Sequence, residues 1–209
     1  CSGGTLRPWG LGFFLDTGYL GVVCDASTSL SVTDLDAYVL SFDPQNPTAG
    51  FTTALTFGLN YNRELVGAFS SDNGNYSTWR VWTDDWNVIK NTTMPVPSKG
   101  TSQVSHHMPL VSDVDFRDDG SMVVALLDRN GLMLAGNQYE PLAGSAIITI
   151  SHQSAGDVVL ACKRNGNFVL EGTGGCAVND NGSGSTAQGS YTIPQPTNVI
   201  TDGPSNNGE

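Results

Sequence analysis

Lysine is nearly absent from this chain of 209 residues, and charge of either sign is scarce. Lys90, Lys99 and Lys163 are the three lysines, and charged residues make up only 14% of the chain. Acidic residues outnumber basic ones by 20 to 9, which gives a formal net charge of −11. Nucleic acids and anionic membranes are bound through basic patches, so the composition argues against both as partners.

Long apolar runs and long helical patterns are also missing. No apolar run approaches the roughly 18 residues that a bilayer-spanning helix needs, so we expect no membrane insertion. The chain contains 25 glycines and 10 prolines, and no window shows a long capped amphipathic period. This composition predicts an all-β fold. Because the chain starts at Cys1, without a methionine or a signal peptide, we expect a mature form or a piece of a longer product.

Recognisable catalytic patterns are absent as well. No Gly-x-Ser-x-Gly elbow lies between a strand and a helix, no glycine-rich phosphate loop is present, and no Cys-x-x-Cys spacing indicates zinc or redox chemistry. No spacing pairs Glu64, Glu140 or Glu171 into the two carboxylates of a glycosidase. We therefore expect a protein that is not an enzyme and needs no cofactor. A secreted hydrolase is the least favoured alternative.

The clearest positive pattern is a hairpin in the middle of the chain. Apolar residues in 111–116 precede a turn at 118–121, and six apolar residues follow in 122–127. Gly120 supplies the positive φ that a tight turn needs. A short continuous apolar run between turn signals is typical of a strand buried on both faces, so we predict this for residues 122–127.

Similar apolar runs follow glycines at two other places. The sixth residue after Gly18, Gly120 and Gly156 is a cysteine, a leucine and a cysteine, respectively. Repeated hairpins that need neighbours to bury them favour a β-propeller or another repeated β-architecture. The alternative is three unrelated hairpins of one β-sandwich.

The strand pattern divides the chain into four parts. Strands predicted over residues 8–15, 20–24, 36–43 and 51–57 make residues 1–59 a first propeller blade. Residues 60–107 form a connection that contains tryptophans and ends in a loop after residue 91, residues 108–171 form a second blade, and residues 172–209 form a Gly/Ser/Asn-rich linker or tail. Closed propellers need about four to eight blades. We therefore predict antiparallel four-stranded sheets in an incomplete propeller-like fragment, with a β-sandwich as the alternative.

Four cysteines allow three disulfide pairings. One pairing joins Cys1 to Cys24 and Cys162 to Cys176, and a rival joins Cys24 to Cys162 and Cys1 to Cys176. Buried free thiols are the other alternative. In an oxidising compartment we expect at least one disulfide.

Two further features point to the cell exterior. Asn75, Asn91 and Asn181 begin N-glycosylation sequons. Trp79, Trp82 and Trp86 lie beside acidic residues and form a candidate glycan-stacking platform. The alternative, which we favour for these tryptophans, is that they cover a core under a long loop.

Metal sites receive little support. His106 and His107 are adjacent and point apart in extended chain, so His152 or an aspartate would have to complete a zinc site. Four aspartates of the central hairpin offer oxygens to Ca²⁺, but they lack the EF-hand pattern: Asp113, Asp115, Asp118 and Asp119. Turn and strand-end aspartates usually cap backbone groups, so we expect no metal.

Several short motifs occur together in a familiar order: residues 8–12, 19–24, 82–86, 112–122, 128–129 and 156–162. Together they resemble the propeller-like region of large bacterial surface proteins that carry adhesin-type SdrD B-like repeats. The resemblance covers most of residues 5–171 and implies an extracellular structural or adhesive role, with further blades beyond this segment and no catalytic residues to carry over. The sequons and the tail make a eukaryotic extracellular appendage or matrix glycoprotein an equal alternative.

From these observations we expect a non-enzymatic structural module of a large, secreted, glycosylated cell-surface, filament or ciliary-appendage protein. Its partners would be other protein chains, or the rest of the same polypeptide, in an extracellular assembly. The alternative is a carbohydrate-binding adhesion module that uses the tryptophan cluster.

Overall fold

The computed structural model describes residues 1–61, 78–91, 93–96, 101–104, 106–133, 138–139, 149–152 and 156–176. The described strands, in chain order, are β1 (Leu6–Phe14), β2 (Thr17–Cys24), β3 (Asp36–Phe42), β4 (Thr52–Gly58), β5 (Thr93–Val96), β6 (Thr101–Val104), β7 (Pro109–Phe116), β8 (Met122–Asp128), β9 (Gln138–Tyr139), β10 (Thr149–His152), β11 (Asp157–Arg164) and β12 (Asn167–Leu170). Two short helices, α1 (Trp86–Asn91) and α2 (Arg129–Met133), accompany them. In these ranges, no helix has the length and apolar character that crossing a membrane requires.

Two of the sheets are antiparallel and four-stranded. The N-terminal sheet has the order β1-β2-β3-β4, and the C-terminal sheet has the order β12-β11-β8-β7. Each is a meander, in which strands adjacent in the sheet follow one another along the chain. The exception is the pair β8 and β11, between which the chain forms β9 and β10 of another sheet. The prediction of an all-β fold built from antiparallel four-stranded sheets is confirmed.

A third sheet lies within the connecting segments. Its order is β5-β6-β10-β9, and β10 pairs in parallel with β6. The sequence predicted a loop or an inter-blade connection over residues 91–107, and the loop is wrong where the strands β5 and β6 lie. Single-sequence patterning missed them because each is only four residues long, and because β6 obtains its hydrogen bonds partly from β10, about fifty residues later.

Turn chemistry follows the predicted positions. Gly120 has a φ of 78° between β7 and β8, and Asn165 and Gly166 have φ of 49° and 86° between β11 and β12. Two consecutive positive φ values are what a two-residue hairpin turn requires, since that turn matches the twist of the strands. These turns fix the registers of both hairpins in the C-terminal sheet.

The main core lies between the N-terminal and C-terminal sheets. Buried apolar residues from both sheets meet there, including Val23, Val39, Leu55, Val111, Met122, Val124, Leu126 and Val159. Aromatic rings join the sheets near one end of the core, where Phe116 lies 4.6 Å from both Phe14 and Tyr19, measured between ring centroids. The two sheets therefore share a single apolar layer.

Glycines on β1 and β2 allow this close packing. Gly10 lies against the backbone of residues 111–113, and a Cβ at Gly10 would fall 2.8 Å from these atoms. A Cβ at Gly12 would collide with the carbonyl oxygen of Val114, and one at Gly21 with the side chain of Val111. The strand pairs β1–β2 and β7–β8 therefore approach at a distance that only glycine permits.

One burial prediction is wrong. Residues 122–127 were expected to be buried on both faces, but burial alternates along β8. Met122, Val124 and Leu126 enter the core, whereas Val123 and Ala125 are half-buried and Leu127 is 42% exposed. The apolar run reflects one core face and one partly solvated face of an antiparallel sheet.

Candidate functional site

The outer face of the N-terminal sheet, opposite its core face, is apolar and exposed. Trp9, Leu11 and Phe13 alternate with glycines along β1, and they are 60%, 51% and 59% exposed. Strand pairing continues this face through Leu20 on β2 and Leu40 on β3, since Leu11 pairs with Leu20 and Leu20 with Leu40. We call this surface, completed by Phe42 and the adjacent Phe51, the outer apolar face.

Aromatic contacts organise one end of the outer apolar face. The ring of Phe42 lies 6.3 Å from that of Phe13 and 5.5 Å from that of Phe51, both in edge-to-face geometry. Phe42 covers Gly18, where a Cβ would collide with its ring. The side chains named as this face have no charge, and Thr53 and Thr56 of β4 border it as exposed neutral residues. Asp36, half-buried at the start of β3, lies on the same side of the sheet beyond Leu40. Contiguous apolar patches larger than a few hundred Å² are rare on monomeric proteins and mark interaction sites.

The tryptophan cluster is buried. Trp79, Trp82 and Trp86 are only 1%, 8% and 7% exposed. Trp79 belongs to the main core, and the other two form a smaller core with Ile89, Met108 and Leu110. Stacking on sugar rings needs exposed ring faces, so the glycan platform expected as an alternative does not fit this geometry. The rings cover core residues, as the other interpretation of the cluster predicted.

A pocket of about 230 Å³ opens beside Trp82. Two guanidinium groups face the ring, with Cζ of Arg7 and Arg129 at 5.2 Å and 4.8 Å from its centroid. Each arginine is paired with an acid at 2.6 Å, Arg7 with Asp25 and Arg129 with Asp84. These two ion pairs neutralise the arginine charges, so the pocket has no net charge with which to select an anion.

Asp25 joins the N-terminal segment to the N-terminal sheet. Its side chain is fully buried, and it accepts hydrogen bonds from the Thr5 and Ser27 amides at 2.8 and 3.0 Å. Burial acts to raise the pKa of Asp25, but these hydrogen bonds and that from Arg7 outweigh it and lower the pKa below its ordinary value. Asp25 is therefore a structural anion.

Among the described residues, Glu171 is the carboxyl group whose pKa is most strongly raised. It is 2% exposed at the end of β12, and Oε1 accepts a hydrogen bond from the Leu160 amide at 3.1 Å. Burial raises its pKa to about 7, and the nearby carboxylate of Asp157 adds to the effect. Glu171 is buried among strands and does not line the Trp82 pocket.

The cysteines pair as Cys1–Cys24 and Cys162–Cys176, with Cα atoms 5.4 and 5.5 Å apart. This is the first of the two pairings considered from the sequence. The first disulfide fixes the start of the chain to the end of β2, and the second joins β11 to the segment after β12. Each of the two packed sheets therefore carries one covalent link. Two disulfides are typical of proteins that fold in an oxidising compartment.

Most of the histidines and aspartates considered as metal ligands have structural partners; Asp118 is exposed in the turn between β7 and β8. His106 and His107 are buried, and Nε2 of His106 lies 3.0 Å from the Val81 carbonyl oxygen. Asp113 and Asp115 are exposed strand residues whose Oδ1 atoms accept the amides of the next residues, and Asp119 accepts the Ser121 amide. Throughout the described ranges, no group of three or more potential ligands is placed to hold a metal ion. The side chain of His152 is not described.

Of the sequons, Asn91 is the last residue of α1, whereas Asn75 and Asn181 lie outside the described residues. Glu64 and Glu140 also lie outside them.

Similarity searches relate the chain to two very long proteins of Dictyostelium discoideum. It is 28% identical to Colossin-B over 191 residues, which cover 84% of this chain and 4% of that protein. It is 29% identical to Colossin-A over 198 residues, which cover 95% of this chain and 1% of that protein. The chain thus spans a small fraction of the length of these curated relatives. No family model and no solved structure matches. The relatives' names do not mention SdrD B-like repeats, so that resemblance remains a prediction.

The outer apolar face is the functional feature that sequence reasoning missed. Its signal was present in the alternation of Trp9, Leu11 and Phe13 with Gly10 and Gly12. The two glycines allow the backbone of β7 to approach closely. The larger side chains on the opposite side of the same strand were not recognised as a second, exposed surface.

Proposed function

We propose that this chain is a non-enzymatic structural module of a large, secreted, glycosylated protein of the cell surface, a filament or a ciliary appendage. It works through protein–protein assembly, with the rest of the same polypeptide or with other chains. The observation that carries this proposal is the outer apolar face. A sheet surface with three large side chains at least half exposed, and no charge among them, is suited to burial against protein.

Three other observations support the proposal. The two disulfides suit an extracellular compartment. The relatives are far longer than the aligned segment, which suits a module within a large protein. The most strongly perturbed carboxyl group, Glu171, is buried among strands and acts on the backbone of β11.

The test is the mass and assembly state of native, non-reduced material, measured by intact mass spectrometry and negative-stain imaging. We expect a product much heavier than this chain that carries glycans and forms polymers or layers. A free, unmodified, monomeric chain of 209 residues would contradict the proposal.

A further inference from the structure

The two antiparallel sheets pack face to face with their equivalent strands running in the same direction. Gly10 lies beside residues 111–113 and Gly12 beside Val114, so β1 runs over β7 in the same direction. At the opposite edges of the two sheets, β4 contacts β12. The N-terminal sheet therefore lies on the C-terminal sheet in the same orientation, as one layer lies on the next.

Layers stacked in one orientation use different faces on their two sides. The C-terminal sheet contacts the N-terminal sheet through the face that carries Val114, Phe116 and Val124. If the C-terminal sheet is shifted onto the N-terminal sheet without being turned over, this face coincides with the outer apolar face of the N-terminal sheet. Such an interface is heterologous, and it can be repeated by adding a further layer.

The two hairpins show the correspondence at single residues. Phe116 and Phe13 each lie near the end of the first strand of their sheet, and both point in the same direction. Phe116 packs on Phe14 and Tyr19 of the neighbouring sheet, whereas Phe13 is 59% exposed. The contacts of Phe116 therefore show how a partner sheet would receive Phe13.

We propose that the outer apolar face, Trp9–Leu11–Phe13 in particular, is the docking surface for a further four-stranded antiparallel sheet from another part of the longer polypeptide, stacked in the same orientation. This inference rests on the proposed function and identifies the partner of its site. The partner sheet presents an uncharged face with glycines or other small residues at alternate positions of its first strand. That is the surface that Gly10, Gly12 and Gly21 offer to the C-terminal sheet.

A second copy of this chain does not meet these requirements in that orientation. In this orientation, the surface of a second copy that would meet the outer apolar face is the outer side of its C-terminal sheet, where Asp113 and Asp115 are exposed. Stacking would press these two carboxylates onto Trp9 and Leu11, and burying unpaired charges against apolar side chains is costly. The partner is therefore a different sheet, with small uncharged residues where Asp113 and Asp115 stand.

The experiment places a photoreactive phenylalanine analogue at Phe13 in the full polypeptide as its own cells produce it. After irradiation, cross-linked peptides are identified by mass spectrometry. We expect Phe13 to cross-link to a predicted strand outside residues 1–209 that has glycines or other small residues at alternate positions. The control carries the same group at Leu127, an exposed residue on the outer side of the C-terminal sheet, and should not enrich that peptide.

Four outcomes would overturn the inference: cross-links to residues 177–209 of this chain, to the outer apolar face of a second copy, to the strand β7 of a second copy, or no enrichment above the Leu127 control. The assembly state of the same sample is recorded separately. Assembled material without the expected cross-link contradicts the docking inference alone, whereas unassembled material contradicts the proposed function.

A pair of variants adds an independent readout. Phe13→Lys should weaken association with the cross-linked segment at least about tenfold, because it removes an apolar anchor and introduces a charge at the interface. Phe13→Leu should retain most of the association. Equal association of both variants would also overturn the inference.

Discussion

The N-terminal and C-terminal sheets share a topology but differ on the side that faces away from their common core. The outer face of the N-terminal sheet presents Trp9, Leu11 and Phe13, whereas that of the C-terminal sheet presents Asp113 and Asp115 with the aliphatic residues Val123, Ala125 and Leu127. The difference lies at alternate residues of the first strand in each sheet. Under the proposed function, the same meander would contact protein on one side of the molecule and water on the other.

The largest expected effect comes from the core side of β1. Gly12→Val should destabilise the protein by about 3 kcal/mol, because its side chain would collide with the Val114 backbone and force the sheets apart. The comparison variant is Asp115→Val, which adds the same side chain at an exposed position of β7 and should change stability by less than about 0.5 kcal/mol. Urea denaturation measures both. Equal effects would show that the glycine contact does not set the spacing of the sheets.

The two disulfides should contribute similarly to the two sheets. Replacing Cys162 and Cys176 by alanine releases a closed loop of 14 residues, and replacing Cys1 and Cys24 releases one of 23. Loop-closure entropy predicts a loss of about 3 kcal/mol in each case. Thermal denaturation of the two double variants measures this, and a negligible loss in either would mean that its link is dispensable for the stability of that sheet.

Glu171 should make stability depend on pH through the C-terminal sheet. Its pKa is raised to about 7 in the folded protein from 4.5 as its ordinary value, so the folded state holds the proton more tightly than the unfolded state. The stability present below pH 4.5 is therefore lost as the pH rises towards 7, by about 3 kcal/mol in total.

The matched control for this pH dependence is Glu171→Gln, which retains an oxygen acceptor for the Leu160 amide. We expect unfolding curves of this variant, measured from pH 4 to pH 8, to lack the decline seen in the unaltered protein. A decline of the same size in the variant would assign the pH dependence to other groups.

The smallest expected effect on stability is on the outer apolar face. Leu11→Ser and Phe13→Ser alter side chains that are more than half exposed, so each should change the free energy of unfolding by less than about 1 kcal/mol. Val111→Ser, at a fully buried position where β7 packs on β1 and β2, should cost several times more. Denaturant unfolding separates them, and a large loss at Phe13 would show that this ring stabilises the fold itself.

The sequence predicted the strands of the two antiparallel sheets well because their signals are local. The β7–β8 turn and the Asn165–Gly166 turn follow from residue type. Which face of each strand is buried in the core, however, depends on contacts that are remote in sequence. On β1, hydrophobicity favours burial of the side that carries Trp9, Leu11 and Phe13, yet the glycine side is buried because β7 approaches there.

The burial of the tryptophans and the pairing in the third sheet (β5-β6-β10-β9) also depend on residues that are remote in sequence. Burial of Trp82 depends on Pro109, whose carbonyl oxygen accepts its indole N–H at 2.9 Å from 27 residues away. The pairing of β6 with β10 is also remote in sequence. Such contacts are set by the tertiary fold, and hydrophobic periodicity within a short window cannot report them.

The central claim is that the outer apolar face becomes buried in the native assembly. Hydroxyl-radical footprinting tests it directly by comparing Trp9, Leu11 and Phe13 in the isolated 209-residue chain with the same residues in the native polymer. We predict strong labelling in the isolated chain and protection in the polymer, with Leu127 labelled in both as an exposed apolar reference. Equal labelling of Trp9, Leu11 and Phe13 in the two samples would contradict the claim.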